Sequence, residues 1–236
     1  MQSNLIPGLL GGAAGAILGY FIPRLTTEVV SYKCHQRGKP LPERELPQWV
    51  KPLCALILGL FSVSTLLSAS GPLLCVKAIY AIFFAAAALT ISLTDCSIHL
   101  IPNEGVLLLL GTGIVYRLLF EGWSGLLNAL CTLGLAILIF GGSSAIFYVW
   151  KHQSGLGAGD LKYVFAIAII VGTSGAVDFL LGMAAAILAY VFFGMQTYRF
   201  RMTDYFPMAA HLSCGFLLAL VAPYLAEDLT LFGIAH

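Results

Sequence analysis

Long apolar runs separated by short polar breaks make up most of this chain. Eight runs meet or approach the roughly 20 apolar residues that a helix needs to cross a bilayer. They cover residues 5–22, 53–70, 73–94, 104–120, 125–150, 160–174, 176–195 and 207–225. The pattern predicts an all-α integral membrane protein, a polytopic bundle of about eight transmembrane helices. The break at 172–175 is only weakly marked, because Gly172 and Gly175 flank just two polar residues.

The composition agrees with a membrane protein. The 236 residues are 59% hydrophobic and 10% charged, whereas soluble domains carry about 25% charged residues. A net charge of +1 gives no basis for a nucleic-acid partner. The first run contains Pro7, lacks a basic segment before it and is followed by further runs, so we expect a membrane helix and not a cleaved signal peptide.

The basic residues predict how the helices are oriented. If the eight runs alternate across the membrane, ten of the twelve Lys and Arg residues fall on one side. They are Arg24, Lys33, Arg37, Lys39, Arg44, Lys51, Lys151, Lys162, Arg199 and Arg201. Positive charge marks the cytoplasmic face, so residues 23–52 are expected to form a basic cytoplasmic loop. We interpret residues 1–236 as a single transmembrane domain.

Two aspartates at the ends of apolar runs are the strongest candidates for chemistry. Asp95 follows the run 73–94, and Asp160 follows Gly157 and Gly159. Alternation places both on the cytoplasmic side, where a carboxylate at the bilayer edge is costly and indicates function. Two neighbouring carboxylates share a proton, so one can activate water while the other polarises a scissile carbonyl. Such a dyad needs no cofactor and no metal.

The neighbours of the aspartates fit the same site. Gly157 and Gly159 let backbone or substrate approach closely, and Lys162 favours an ionised Asp160. Pro102 fixes a turn after Asp95, and Asn103 is expected to cap a helix that begins at residue 104. Structural alternatives stay open: Asp160 as a helix N-cap, and Asp95 as a cap of its own turn or in an ion pair with Lys162.

These residues resemble the type IV prepilin leader peptidases, which carry a Gly-x-Gly-Asp motif. Asp95 followed by Pro102-Asn103 is similar to the family's first motif, and Gly157-x-Gly159-Asp160-x-Lys162 to its second. The glycine-rich segment 11–15 and the Pro-containing segment 205–212 are also similar to those of the family.

The resemblance implies a membrane-embedded aspartic endopeptidase with Asp95 and Asp160 as catalytic residues. Its substrates would be type IV prepilins or pseudopilins, whose basic leader peptide is cut at the cytoplasmic face of the bacterial inner membrane. The hydrophobic segment of the substrate would remain among the lipids. Presenilin-type peptidases share the Gly-x-Gly-Asp motif but not the overall pattern.

One departure from the family concerns the loop 23–52. Many relatives carry paired Cys-x-x-Cys motifs there and N-methylate the new amino terminus, but this loop has Cys34 alone. We therefore do not extend methyltransferase activity to this chain. Two other classes remain as alternatives: a small ion- or proton-coupled transporter, or an inactive structural subunit of a pilus or secretion system. A transporter predicts acids spread through the membrane depth and an internal repeat, and neither pattern is visible in the sequence.

Overall fold

The fold is that of a computed structural model, which describes residues 2–38, 40–42, 46–69, 71–151, 157–196 and 208–231. These residues form helices and no strands. The helices are α1 (Gln2–Gln36), α2 (Val50–Ser68), α3 (Pro72–Ile98), α4 (Asn103–Ala136), a π-helix (Ile137–Gly141), α5 (Gly142–Lys151), α6 (Ala158–Gln196) and α7 (Met208–Leu231). Lys39, Arg44, Arg199 and Arg201 of the predicted basic face, and residues 205–207 of the family-like segment, lie outside the described residues.

The all-helical membrane architecture is confirmed, but the expected count of eight helices is wrong. In the described part of the chain, six helices are long and apolar enough to cross a membrane. The predicted runs 104–120 and 125–150 fall in one continuous segment, Asn103–Trp150, and the runs 160–174 and 176–195 fall in α6. The observed number of helices is smaller than the expected number because the two halves of each segment are separated by a single non-helical glycine and not by a loop.

α6 folds back on itself at Gly172. In its first half the Tyr163 hydroxyl lies 2.7 Å from Oγ of Ser213, and in its second half the Tyr190 ring centroid lies 5.2 Å from that of His211. Ser213 and His211 are two residues apart on α7, whereas a straight helix would separate the two tyrosines by about 40 Å. Gly172 makes the reversal with φ 64° and ψ −176°, a conformation that favours glycine.

α4 reverses in the same way at Gly122, which has φ 65° and ψ −152°. A Cβ atom placed on Gly125 would lie 3.3 Å from the carbonyl oxygen of Arg117. Residues eight positions apart in a straight helix are separated by about 12 Å. Both long helices are therefore tight helical hairpins whose turns consist of one glycine.

A polar cluster joins the two hairpin turns. Arg117 is 4% exposed; its Nε donates to the carbonyl of Ile169 at 3.1 Å, its Nη2 donates to that of Ile170, and its Nη1 pairs with Glu121. Beyond the turns, Oδ1 of Asn128 accepts bonds from the backbone and hydroxyl of Thr173. Backbone groups freed at a helix break inside a membrane protein need such partners, because lipid offers none.

The chain divides into two compact units, Met1–Ile98 with Leu220–His236, and His99–Ala219. In the first unit, α1 packs closely against α2 through glycines at positions 8, 11, 12, 15 and 19. A Cβ atom on Gly15 would lie 2.8 Å from the carbonyl oxygen of Leu58, and one on Gly19 would lie 2.8 Å from Cα of Ala55. Small residues of this kind let membrane helices approach to backbone contact.

α1 is longer than the first apolar run predicted. Its 35 residues measure about 52 Å, more than the roughly 30 Å of a bilayer core. Residues 23–36, expected to belong to the basic loop, instead continue this helix. The exposed Arg24 and Glu28 form an i,i+4 ion pair there at 3.7 Å, as on a water-facing helix.

In the second unit, α7 packs against the second half of α6. A Cβ atom on Gly182 would lie 2.9 Å from Cα of Gly215, so the two backbones touch. The first half of α6 packs against α4, where Gly113 meets the side chain of Ile170, and is bonded to α7 through Tyr163 and Ser213. The beginning of α6, which carries Asp160, is therefore held between α4 and α7.

Candidate functional site

Asp160 lies in the first turn of α6 and is half-buried. The helix begins at Ala158, and the amide of Leu161 donates to the carbonyl of Gly157 at 3.2 Å. A Cβ atom on Gly157 would lie 2.9 Å from Oδ2 of Asp160. Glycine at position 157 thus gives the carboxylate its room, and the helix start surrounds it with backbone amides that favour an anion.

The chain before α4 packs onto this helix start. A Cβ atom on Gly159 would lie 3.3 Å from Cβ of Ile101, and both Ile101 and Pro102 are buried. The Nζ of Lys162 donates to Oδ1 of Asn103 at 3.4 Å. Within the second unit the structure places six predicted site residues at one end of the α4–α6 pair. They are Pro102, Asn103, Gly157, Gly159, Asp160 and Lys162.

The expected capping role of Asn103 is wrong. α4 begins at Asn103 itself, the N-cap is Pro102, and no side chain caps this helix end. The amide of Val106 donates to the carbonyl of Pro102 at 3.2 Å. The Asn103 side chain is oriented toward Lys162 instead, and so links the start of α4 to the start of α6.

Asp95 belongs to the first unit and lies within α3, not after it. The helix continues three residues further and ends at Ile98. The next residue, His99, has a left-handed backbone with φ 52°. Asp95 is only 2% exposed, so its carboxyl group is shielded by protein at the end of an apolar helix. Burial of a carboxyl group in this setting is costly, which makes Asp95 a candidate functional residue.

A buried tyrosine beside Asp160 was not singled out by the sequence analysis. Tyr163, three residues after Asp160, is fully buried and hydrogen-bonded to Ser213 of α7. His211, which is 4% exposed, packs edge-on against the ring of Tyr190. The first contact fixes the first turns of α6 against α7, and the second joins the other half of α6 to α7. The sequence shows only a tyrosine in an apolar run, and the partner 50 residues away depends on the fold.

The described residues contain no group of three His, Cys, Asp or Glu side chains placed to hold a metal ion. Asp160 itself offers a carboxylate with an amide-rich helix start behind it and a lysine two residues away.

Comparison with known proteins finds one family that part of this chain matches. A family model described as the type IV leader peptidase family matches residues 82–195, just under half of the chain. Over this segment the chain is similar to that family. It contains both Asp95 and Asp160, together with all five supporting residues predicted from the sequence. No curated protein and no solved structure matches the chain.

The similarity of this segment to the type IV leader peptidase family supports a peptidase, and hence a hydrolase. The six long apolar helices of the described residues indicate a membrane protein. The resemblance inferred from Asp95, Asp160 and their flanking motifs is thereby confirmed at the level of the family.

Proposed function

We propose that this protein is a membrane-embedded aspartic endopeptidase that removes the basic leader peptide from type IV prepilins or pseudopilins. Asp95 and Asp160 form its catalytic dyad, and a water molecule is the nucleophile. The observation that carries the proposal is the family match over 82–195, because that one segment contains both aspartates in their motifs.

The setting of each aspartate supports a different role. Asp160 stands at a helix N-terminus, where backbone amides favour the ionised form. Asp95 is buried near a helix C-terminus, where the protonated form is favoured. In this proposal Asp160 is the base and Asp95 is the acid of the resting enzyme.

The reaction then follows from these two protonation states. Asp160 takes a proton from water as the water oxygen bonds to the scissile carbonyl carbon, and Asp95 donates a hydrogen bond to the carbonyl oxygen. As the tetrahedral intermediate collapses, the C–N bond breaks and the proton held by Asp160 passes to the leaving amine. The products are a free carboxyl terminus and a free amino terminus, and the dyad returns to its initial state.

The proposal also assigns the enzyme to the bacterial cytoplasmic membrane with its site facing the cytoplasm. The support is the bias of Lys and Arg residues toward one side of the predicted topology. A cytoplasmic site meets the basic leader before the mature domain is exported. Methylation of the new amino terminus is not part of the proposal, because Cys34 has no Cys-x-x-Cys partner in its loop.

The test is cleavage of a prepilin-like substrate in membranes that contain the full chain. Asp95→Asn and Asp160→Asn keep side-chain size but remove the carboxyl group, so each should lower kcat by about 10²–10⁴-fold or more. Asp178→Asn is the matched control, because Asp178 is also a half-buried aspartate of α6 but lies beyond the Gly172 turn.

Loss of cleavage in both dyad variants, with normal insertion and an active control, supports the mechanism. Full activity in either dyad variant refutes the dyad. If the wild-type chain cleaves none of the leaders supplied, the peptidase function is refuted. The transporter and the structural subunit are then the remaining alternatives.

A further inference from the structure

An apolar cleft opens inside the second unit, His99–Ala219; its empty space is about 510 Å³ when the open mouth is included. Its floor is buried and belongs mainly to the first half of α6, with Val164, Ile167, Ala168 and Val171. Its rim is exposed and is formed by Leu135, Ile139 and Leu180, which are 36–51% exposed on neighbouring helical segments. The cleft therefore has a closed base and an open mouth within the membrane-spanning part of the unit.

The floor of the cleft lies on the same face of α6 as Asp160. The four floor residues follow Asp160 by 4, 7, 8 and 11 positions, which are the intervals of a single helical stripe. With a rise of 1.5 Å per residue, the cleft starts about 6 Å from Asp160 and extends to about 16 Å along the helix. A chain lying in the cleft along α6 would thus point one end at the Asp160 carboxylate.

The lining of the cleft selects an apolar occupant. The one hydroxyl on its wall, that of Thr132, donates to the carbonyl of Asn128 at 2.9 Å and so is already satisfied. The remaining lining residues are aliphatic or phenylalanine. Hydrocarbon side chains fill such a space favourably, whereas a polar or charged segment would lose its hydration without compensation.

The wall of the cleft carries a second unusual feature. The π-helix Ile137–Gly141 contributes Ile139 and Phe140 to the lining. A π-turn inside a helix is an irregularity that is frequent at functional sites, because it widens the helix and redirects side chains. Here it adds one exposed residue, Ile139, and one buried residue, Phe140, to the lining.

We propose that this cleft binds the apolar helical segment of the substrate, and thereby delivers the bond that follows the basic leader to Asp160. The inference rests on the proposed peptidase function and names the part of the chain that recognises the hydrophobic segment. A lipid acyl chain would also suit the lining, but it gives no reason for the cleft to begin one helical turn from a carboxylate. The shared stripe with Asp160 favours the peptide.

Photocrosslinking tests binding without requiring cleavage. The photoreactive residue p-benzoylphenylalanine is placed at Ala176, which is half-buried and lines the cleft, in the full chain carrying Asp160→Asn. The matched control places it at Ala185, an exposed alanine on the same half of α6 that does not line the cleft. The probe is a peptide with a short basic leader followed by about 20 apolar residues, reconstituted with the protein in vesicles.

Crosslinks to the apolar part of the peptide from position 176, and several-fold fewer from position 185, support the proposal. Crosslinks to lipid alone from position 176, or equal peptide crosslinking at both positions, overturn it. Because the assay reads binding, these outcomes are independent of whether the wild-type chain cleaves the peptide, which is the separate test of the peptidase function.

A substitution that fills the cleft gives a second measurement. Ala176→Phe should lower the ratio of kcat/KM for the full peptide to kcat/KM for a short peptide, which keeps the leader and the scissile bond but lacks the apolar segment, by about tenfold, equivalent to about 1.4 kcal/mol. The change should appear mainly as a higher KM for the full peptide. Ala185→Phe adds the same volume outside the cleft and should leave the ratio unaltered. An unaltered ratio for Ala176→Phe contradicts the assignment.

Discussion

Arg117 shows how one buried charge can stabilise two backbone turns. Its guanidinium group satisfies the carbonyls of Ile169 and Ile170, just before the Gly172 turn, while it pairs with Glu121 just before the Gly122 turn. A buried cation without partners would be very costly in a membrane protein, but here the donors meet acceptors that would otherwise be unpaired. Arg117 is therefore best understood as a structural residue.

Replacing Arg117 by Ala should lower the free energy of unfolding by on the order of 3 kcal/mol, because it leaves two carbonyls and Glu121 without their partner. Thermal unfolding in detergent measures the effect. Arg24→Ala is the matched control, since Arg24 also pairs with a glutamate four residues on but is 76% exposed. That exposed pair should contribute less than about 1 kcal/mol. Equal shifts in the two variants would show that Arg117 is not the link between the turns.

Gly157 offers a residue-level test of how Asp160 is positioned. Gly157→Ala would place a Cβ atom 2.9 Å from Oδ2 of Asp160 and push the carboxylate from its position. We expect kcat to fall by about 10–100-fold with little change in KM, since misplacing a catalytic group by about 1 Å has effects of this size. Gly111→Ala is the control, because nothing lies within 4 Å of a Cβ atom there. An unchanged kcat for Gly157→Ala would mean that Asp160 tolerates displacement.

At the scale of elements, the two hairpins differ in how tightly their turns are enclosed. Gly122 and Gly172 share nearly the same positive φ, but a Cβ atom on Gly122 would meet nothing within 4 Å. A Cβ atom on Gly172 would lie 3.0 Å from Cζ of Arg117 and 3.2 Å from Oδ1 of Asn128. The same substitution therefore separates backbone strain from steric clash.

Gly122→Ala should cost about 1–3 kcal/mol of stability through strain alone. Gly172→Ala should cost more, because it adds a clash with the Arg117–Asn128 cluster to the same strain. Chemical or thermal unfolding of the two variants in matched detergent gives the comparison. If Gly122→Ala lowers the free energy of unfolding more than Gly172→Ala does, the side chains around Gly172 rearrange at little cost and do not hold the turn.

The sequence predicted the elements well where apolar runs coincide with helices and less well where they do not. The breaks expected near positions 122 and 172 do occur. Each break is a single glycine with helix on both sides, so the expected count of eight separate helices was wrong. Residues 23–36 looked like a loop because they are polar. The part of a helix that extends beyond the membrane does not need to be apolar. α1 therefore continues through these polar residues to Gln36.

At the scale of the whole molecule, the orientation of the chain in the membrane stays a prediction that fusions can test. A green fluorescent protein fused after Gly38, between α1 and α2, should fluoresce, because that basic segment is expected in the cytoplasm. Alkaline phosphatase fused after Gly71, between α2 and α3, should be active, because that turn is expected outside. The reverse pattern would put the proposed site on the wrong face for a leader peptidase.

The candidate site was predictable to the extent that it is local in sequence. The motif spacing predicted that Gly157, Gly159 and Lys162 would surround Asp160, and the structure adds the contact of this helix start with Ile101 and Asn103. The bond from Tyr163 to Ser213 depends on how α6 packs against α7, which no local pattern encodes. The pairing of Asp95 with Asp160 in one dyad remains a prediction for the substitution experiment to decide.

The single-glycine turns have a consequence for biosynthesis. A membrane hairpin normally requires a polar connecting loop to be carried through the bilayer as it inserts, and that transfer costs free energy. The turn at Gly172 presents one glycine, and the backbone groups near it already find acceptors and donors inside the protein. We therefore expect α6 to enter the membrane as a preformed two-helix unit, with little dependence on the machinery that translocates hydrophilic loops.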